Sequence, residues 1–116
     1  MDPRHDYPEL IKAAISDWEG YIRRARHSGV EIQRLFDDAS QNYALVYLGW
    51  DKERRVQKTA LHLRVKEGKI WIEVDDTDQG IATALLQAGV ARQDIVLAFH
   101  APELRHLAES MSGGST

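Results

Sequence analysis

The sequence predicts an α+β domain: an antiparallel sheet of about five strands with helices packed on it, in the order α-β-β-β-β-α-β-α. Three observations carry this. Apolar residues recur with helical spacing from Leu10 to Ala25. From Val30 to Val74 the period shortens to the alternation of strands, interrupted by turn-forming residues. Beyond Asp75 helical spacing returns, around one short apolar strand.

In the first helix Asp6 is the expected N-cap, Pro8 suits the first turn, and Glu9 completes a capping box. Leu10, Ile11, Ala14, Ile15, Trp18, Tyr21, Ile22 and Ala25 form one apolar stripe. Lys12, Asp17, Glu19, Arg23 and Arg24 are assigned to the opposite, solvated face. Arg23, Arg24 and Arg26 complement the negative end of the helix dipole, and Gly29 is the expected terminator.

The first strand, Val30–Asp37, sets Val30, Ile32, Arg34 and Phe36 against Glu31, Gln33, Leu35 and Asp37. Residues 38–42 carry turn chemistry. Tyr43–Trp50 is apolar on both faces, as a central strand is. A charged loop, Trp50–Arg55, then precedes Val56–Lys66. There Thr59, Leu61, Leu63 and Val65 are expected inward, with Lys58, Ala60, His62, Arg64 and Lys66 outward. Glu67-Gly68 signals a two-residue hairpin into Lys69–Val74. Trp71 is placed on the outer face beside His62 and Ala60. Asp75 to Asp78 are rich in capping oxygens ahead of a helix built on Ile81, Ala82, Leu85 and Leu86 and closed by Gly89. Ile95–Phe99 is a short strand, and Pro102 opens a last helix bearing Leu104, Leu107 and Met111. Residues 1–111 read as one domain and 112–116 as a flexible tail.

Composition narrows the functional classes. A net charge of −3 disfavours a chain whose main task is to grip phosphate backbones, because that affinity comes from Lys and Arg. The absence of cysteine excludes disulfides, thiolate zinc sites and cysteine nucleophiles. No apolar run is long enough to span a bilayer, and the first residues lack a secretory signal, so a cytoplasmic protein with no membrane contact is expected.

No catalytic, cofactor or metal motif emerges. Asp75, Asp76 and Asp78 lack the spacing of a calcium loop, and helix capping accounts for them. His62, His100 and His106 form no HExxH-type pair; a cryptic metal site of His62, His100 and Asp75 or Asp76 is the remote alternative. Ser16, Ser28 and Ser40 lack a nucleophile elbow, and no glycine-rich phosphate loop is present. Two surfaces remain. Trp50, Asp51, Arg54 and Arg55, with His62 and Trp71, are candidates for contact with a partner, against an ordinary solvated hairpin. Arg23, Arg24 and Arg26 are candidates for nucleic-acid contact, against simple compensation of the helix dipole.

A set of short motifs sharpens this: Tyr43-Ala44-Leu45, Gly49-Trp50-Asp51, Arg54-Arg55-Val56, His62, Gly68-Lys69-Ile70-Trp71-Ile72, Asp75, Thr77, Gly80-Ile81-Ala82, Leu85, Gly89-Val90, Asp94-Ile95-Val96-Leu97, and Phe99-His100 with Pro102 and Arg105. In this order they resemble the XisI family, the fdxN element excision controlling factors, over roughly Tyr7 to Leu107. Asp76 stands where the family pattern carries glycine, so a glycine-dependent turn there is in question. The resemblance implies a non-enzymatic accessory factor in DNA element excision by a separate recombinase. It also implies a XisH-like protein partner, with DNA contact indirect or weak and no cofactor. A homodimer through the outer sheet face is compatible with it.

Overall fold

In a computed structural model of the chain, residues 6–25 and 29–101 are described. The expected last helix and tail, and Arg26, lie outside them. Helix α1 (Tyr7–Ala25) leads into strands β1 (Gly29–Asp37), β2 (Asn42–Asp51), β3 (Arg54–Lys66) and β4 (Lys69–Asp75). Helix α2 (Ile81–Gln87) and a single 3₁₀ turn (Arg92–Asp94) precede strand β5 (Ile95–Leu97). The strands form one sheet in chain order.

Three pairings are antiparallel, but β5 runs parallel to β4, with Ile70, Ile72 opposite Ile95, Leu97. The sheet is therefore mixed, a correction to the antiparallel expectation. The connection through α2 lets the chain cross back and re-enter in the same direction, which no tight turn allows. Strand β5 stops at Leu97, short of the expected Phe99. The Ala98 amide still donates to Ile72, but the His100 amide turns back to Leu97.

Both helices lie on one face. Tyr7, Ile11, Ala14 and Ile15 of α1 and Ile81 and Leu85 of α2 share a core with Ile32, Tyr43, Leu45, Tyr47, Leu61, Leu63, Ile70 and Ile72. Tyr7 Oη donates to Asp94 at 2.6 Å, fastening the start of α1 to the turn before β5.

Strand β3 departs from simple alternation. Leu45 pairs with Leu61 but Val46 pairs with Thr59, leaving Ala60 as an extra, bulged residue. The bulge shifts the side-chain phase, so Ala60 and Leu61 are both buried and Thr59 is exposed, reversing the assignment of residues 59 and 60. A second register shift leaves Glu73 extra in β4. Counting from the Glu67-Gly68 turn, where Lys66 pairs with Lys69, Trp71 pairs with Arg64, and not with the expected His62 and Ala60.

Glu19 also departs from expectation. Placed on the solvated face by helical spacing, it is 6% exposed. It accepts from Arg23 Nε at 2.7 Å and from Arg34 Nε on β1. Burial pushes its carboxyl upward, but the bonds from Arg34 and Arg23 outweigh this and hold it below the ordinary range. A lowered folded value means stability that is present above the unfolded value and lost as pH falls through the folded one. Acid unfolding of Glu19→Gln should lack this component; an unchanged acid limb in pH-dependent melting contradicts the assignment.

Tyr43 behaves in the opposite sense. Burial and donation to Asp38 at 2.8 Å push its phenol up to about 12. Its folded value is raised, so its stabilisation is complete below the ordinary value near 10 and disappears as pH climbs from there toward 12. Tyr43→Phe should flatten that alkaline loss relative to the parent, measured as Tm between pH 9 and 12. Parallel Tm curves for the two proteins reject the prediction.

Candidate interaction surface

The hairpin at the end of β2 and β3 is tighter than a six-residue loop. Trp50 pairs with Arg55 and Asp51 with Arg54, leaving only Lys52-Glu53 to turn the chain. Lys52 accommodates φ 59° there. The four candidate residues are therefore strand residues at a projecting tip, held by backbone pairing. Asp51 and Arg54 lie 3.8 Å apart and both are exposed, so this pair adds little stability. The Arg55 guanidinium donates to the Gly49 carbonyl at 3.2 Å and lies 5.8 Å from the Trp50 ring centre. Trp50 itself is 54% exposed.

Trp50 belongs to a larger surface. On the sheet face away from both helices, Leu35 is 55% exposed, and Ala44, Val46 and Leu48 run along β2 half-buried. Single exposed apolar residues are ordinary, but this set forms a continuous row along β2, with Leu35 beside Ala44 and the polar Gln33 and Glu31 opposite Val46 and Leu48. Farther across the sheet the character changes. Lys66 Nζ and the Arg64 guanidinium lie 4.6 and 5.7 Å from the Trp71 ring centre, and Arg64 donates to Glu73 at 2.8 Å. The Trp71 Nε1–H is buried without an acceptor among the described residues. His62 donates from its ring Nε2 to Asn42 Oδ1 at 2.8 Å, a bond between β3 and β2. Trp71 and His62 are thus engaged within the sheet, while Leu35 and Trp50 are available. Leu35 was missed because it sits among polar residues on β1; its signal was an apolar residue in the exposed phase of the alternation.

The basic candidates separate as well. Arg23 is committed to Glu19 and to the Ile32 carbonyl, to which Nη2 donates at 3.0 Å. Arg24 is exposed. Arg26 lies outside the described residues.

The acidic run is a capping device. Asp75 Oδ1 accepts from the Thr77 amide at 3.0 Å and its hydroxyl at 2.6 Å, and Oδ2 accepts from the Ile81 amide at 2.8 Å. Thr77 Oγ1 in turn accepts from the Gly80 amide at 3.0 Å. Asp76 is paired with Lys58 and needs no positive φ, so aspartate substitutes for glycine there without backbone strain. Among the described residues no cluster of three His, Asp or Glu side chains is placed to hold a metal ion, and no helix is long and apolar enough to cross a membrane.

The family model described as XisI protein matches residues 1–110. The chain belongs to the XisI family. Two solved structures from Anabaena variabilis resemble it along most of its length. A XisI-like protein aligns with a TM-score of 0.80 at 31% identity, covering 88% of this chain and 92% of its own. The fdxN element excision controlling factor XisI aligns with a TM-score of 0.76 at 33% identity, covering 90% and 99%. No curated protein matches the chain. Within the XisI motifs, the arrangement assigns structural work to Gly49 in the Gly-Trp-Asp run and to Asp75 and Thr77 before α2, and leaves Trp50 on the surface.

Proposed function

We propose that this chain is a non-enzymatic excision controlling factor that acts through protein–protein contact with a XisH-like partner. The single observation that carries the reading is the apolar row Ala44, Val46 and Leu48 of β2, with Leu35 beside it, uncovered by α1 or α2 and ending at Trp50. A flat face of this kind gives a partner an apolar centre, and the charged hairpin tip gives a polar rim. A regulatory role also accords with the similarity to the fdxN element excision controlling factor XisI from Anabaena variabilis. The residues with chemistry to offer, His62, Asp75 and Asp76, are engaged in a cross-strand bond, a helix cap and an ion pair.

Co-purification with a XisH-like protein tests the reading, and the absence of a complex at micromolar concentration defeats it. Trp50→Ala and Leu35→Glu should each weaken the complex by about 10- to 30-fold, the scale of an interfacial hot spot. Their melting temperatures should match the parent's, because both side chains are exposed.

A second reading, direct modulation of DNA, draws on one observation. Gly29 pairs with Trp50, so the chain leaving α1 enters the sheet beside the hairpin tip bearing Lys52, Arg54 and Arg55. This reading requires salt-sensitive duplex binding. Unchanged fluorescence polarisation of a labelled duplex at low salt disposes of it.

A further inference from the structure

The groove between α1 and α2 is a second surface feature, on the helical side of the molecule and away from the apolar row of β2. It encloses about 320 Å³. One wall presents the rings of Trp18 and Tyr21, tilted against each other with centres 5.1 Å apart. Trp18 is held in place by donation from Nε1 to Tyr47 Oη at 3.2 Å, while Tyr21 is 50% exposed. Two carboxylates, Asp17 on α1 and Asp78 in the loop before α2, line the same groove. Both are exposed, and neither has a partner among the described residues. Among the described residues, no lysine, arginine or histidine lines it.

This chemistry selects an occupant. The volume lies at the lower end for ligand pockets, which suits one long side chain better than a nucleotide. Two unpaired carboxylates repel an anion and leave an apolar side chain with no polar complement. A guanidinium satisfies both walls, because its plane stacks on aromatic rings and its forked N–H groups match carboxylate oxygens. An ammonium offers only a point charge. We infer that this groove receives an arginine side chain presented by a partner protein. The assignment goes beyond the contact proposed for the sheet face and does not depend on it.

The probe is N-acetyl-arginine methylamide, titrated into the isotopically labelled protein at millimolar concentration and followed by amide and indole NMR shifts. Saturable shifts should appear at the Trp18 indole and in residues 77–87. The Asp17→Asn/Asp78→Asn double variant should bind at least ~10-fold more weakly, the loss expected for charge-assisted bonds. Both positions are exposed, so the variant's otherwise unchanged spectrum serves as the folding control. The citrulline analogue, which keeps the shape and removes the charge, should not saturate. The inference is overturned by shifts absent from the groove, by equal binding of the citrulline or lysine analogue, or by undiminished binding in the double variant. Failure of a XisH-like complex with an intact arginine response would remove the sheet-face reading and leave this one standing.

Discussion

Replacement of Gly49 by alanine is expected to destabilise the protein by about 3 kcal/mol, lowering Tm by roughly 10 °C. Gly49 has φ 149°, a conformation that residues with a Cβ rarely adopt. A Cβ built there would lie 2.3 Å from the Gly29 carbonyl oxygen and 2.9 Å from Val30 Cα. Both obstacles are backbone of the adjacent strand, so no side-chain rotation relieves them. Relief requires β1 and β2 to separate where Gly29 pairs with Trp50 and Val30 with Gly49. The damage should therefore extend to the hairpin tip and to Trp50. Urea unfolding with hydrogen exchange of the β1–β2 amides measures it. A change within about 0.5 kcal/mol, the range of ordinary surface substitutions, refutes the argument.

Loss of Asp75 is the second large effect, about 2–3 kcal/mol for Asp75→Ala. One carboxylate gathers three donors: the Thr77 amide, the Thr77 hydroxyl and the Ile81 amide. Hydrogen bonds to charged groups are individually worth about 1.5–3 kcal/mol, and three on one partly buried group are not additive. The Ile81 amide is an orphan donor at the start of α2, and Gly80 supplies no side-chain cap. Without Asp75 the turn should loosen and α2 should fray, exposing Ile81 and Leu85 from the core. Asp75→Asn keeps an acceptor oxygen and should cost less than alanine. Equal stability of the alanine variant and the parent, or α2 amides exchanging no faster, rules out this role.

These effects bear on what the family motifs mean. Gly49 and Asp75 are explained by close backbone approach and helix capping. Trp50, beside Gly49 in the same motif, has no comparable structural duty; its ring is half-exposed at the tip. The fold-determining glycine thus holds the neighbouring aromatic in a fixed place, half-exposed beside Arg55.

Local signals determined much of this architecture from sequence alone. The apolar spacing of α1 placed Ile11 and Ile15 in the core. Glu67-Gly68 announced its hairpin because both residues must take positive φ, 56° and 74°, and glycine lowers that cost. The two-sided apolar pattern of β2 correctly marked a central strand. Other features depended on tertiary structure. Glu19 is buried because Arg34, fifteen residues away, meets it across the helix–sheet interface. The bulge at Ala60 shifts the side-chain phase of β3 in an unbroken alternating stretch, since a small residue leaves the period intact in the sequence. The direction of β5 follows from how far the chain travels through α2, and three residues cannot encode it. The candidate surface divides along the same line. Trp50 and the paired arginines were legible as residue types, but which were free depended on their neighbours. An ion pair engages Arg23, a cross-strand hydrogen bond His62 and stacked cations Trp71, while Leu35 and Trp50 stay exposed, because burial is set by contacts between segments far apart in the chain.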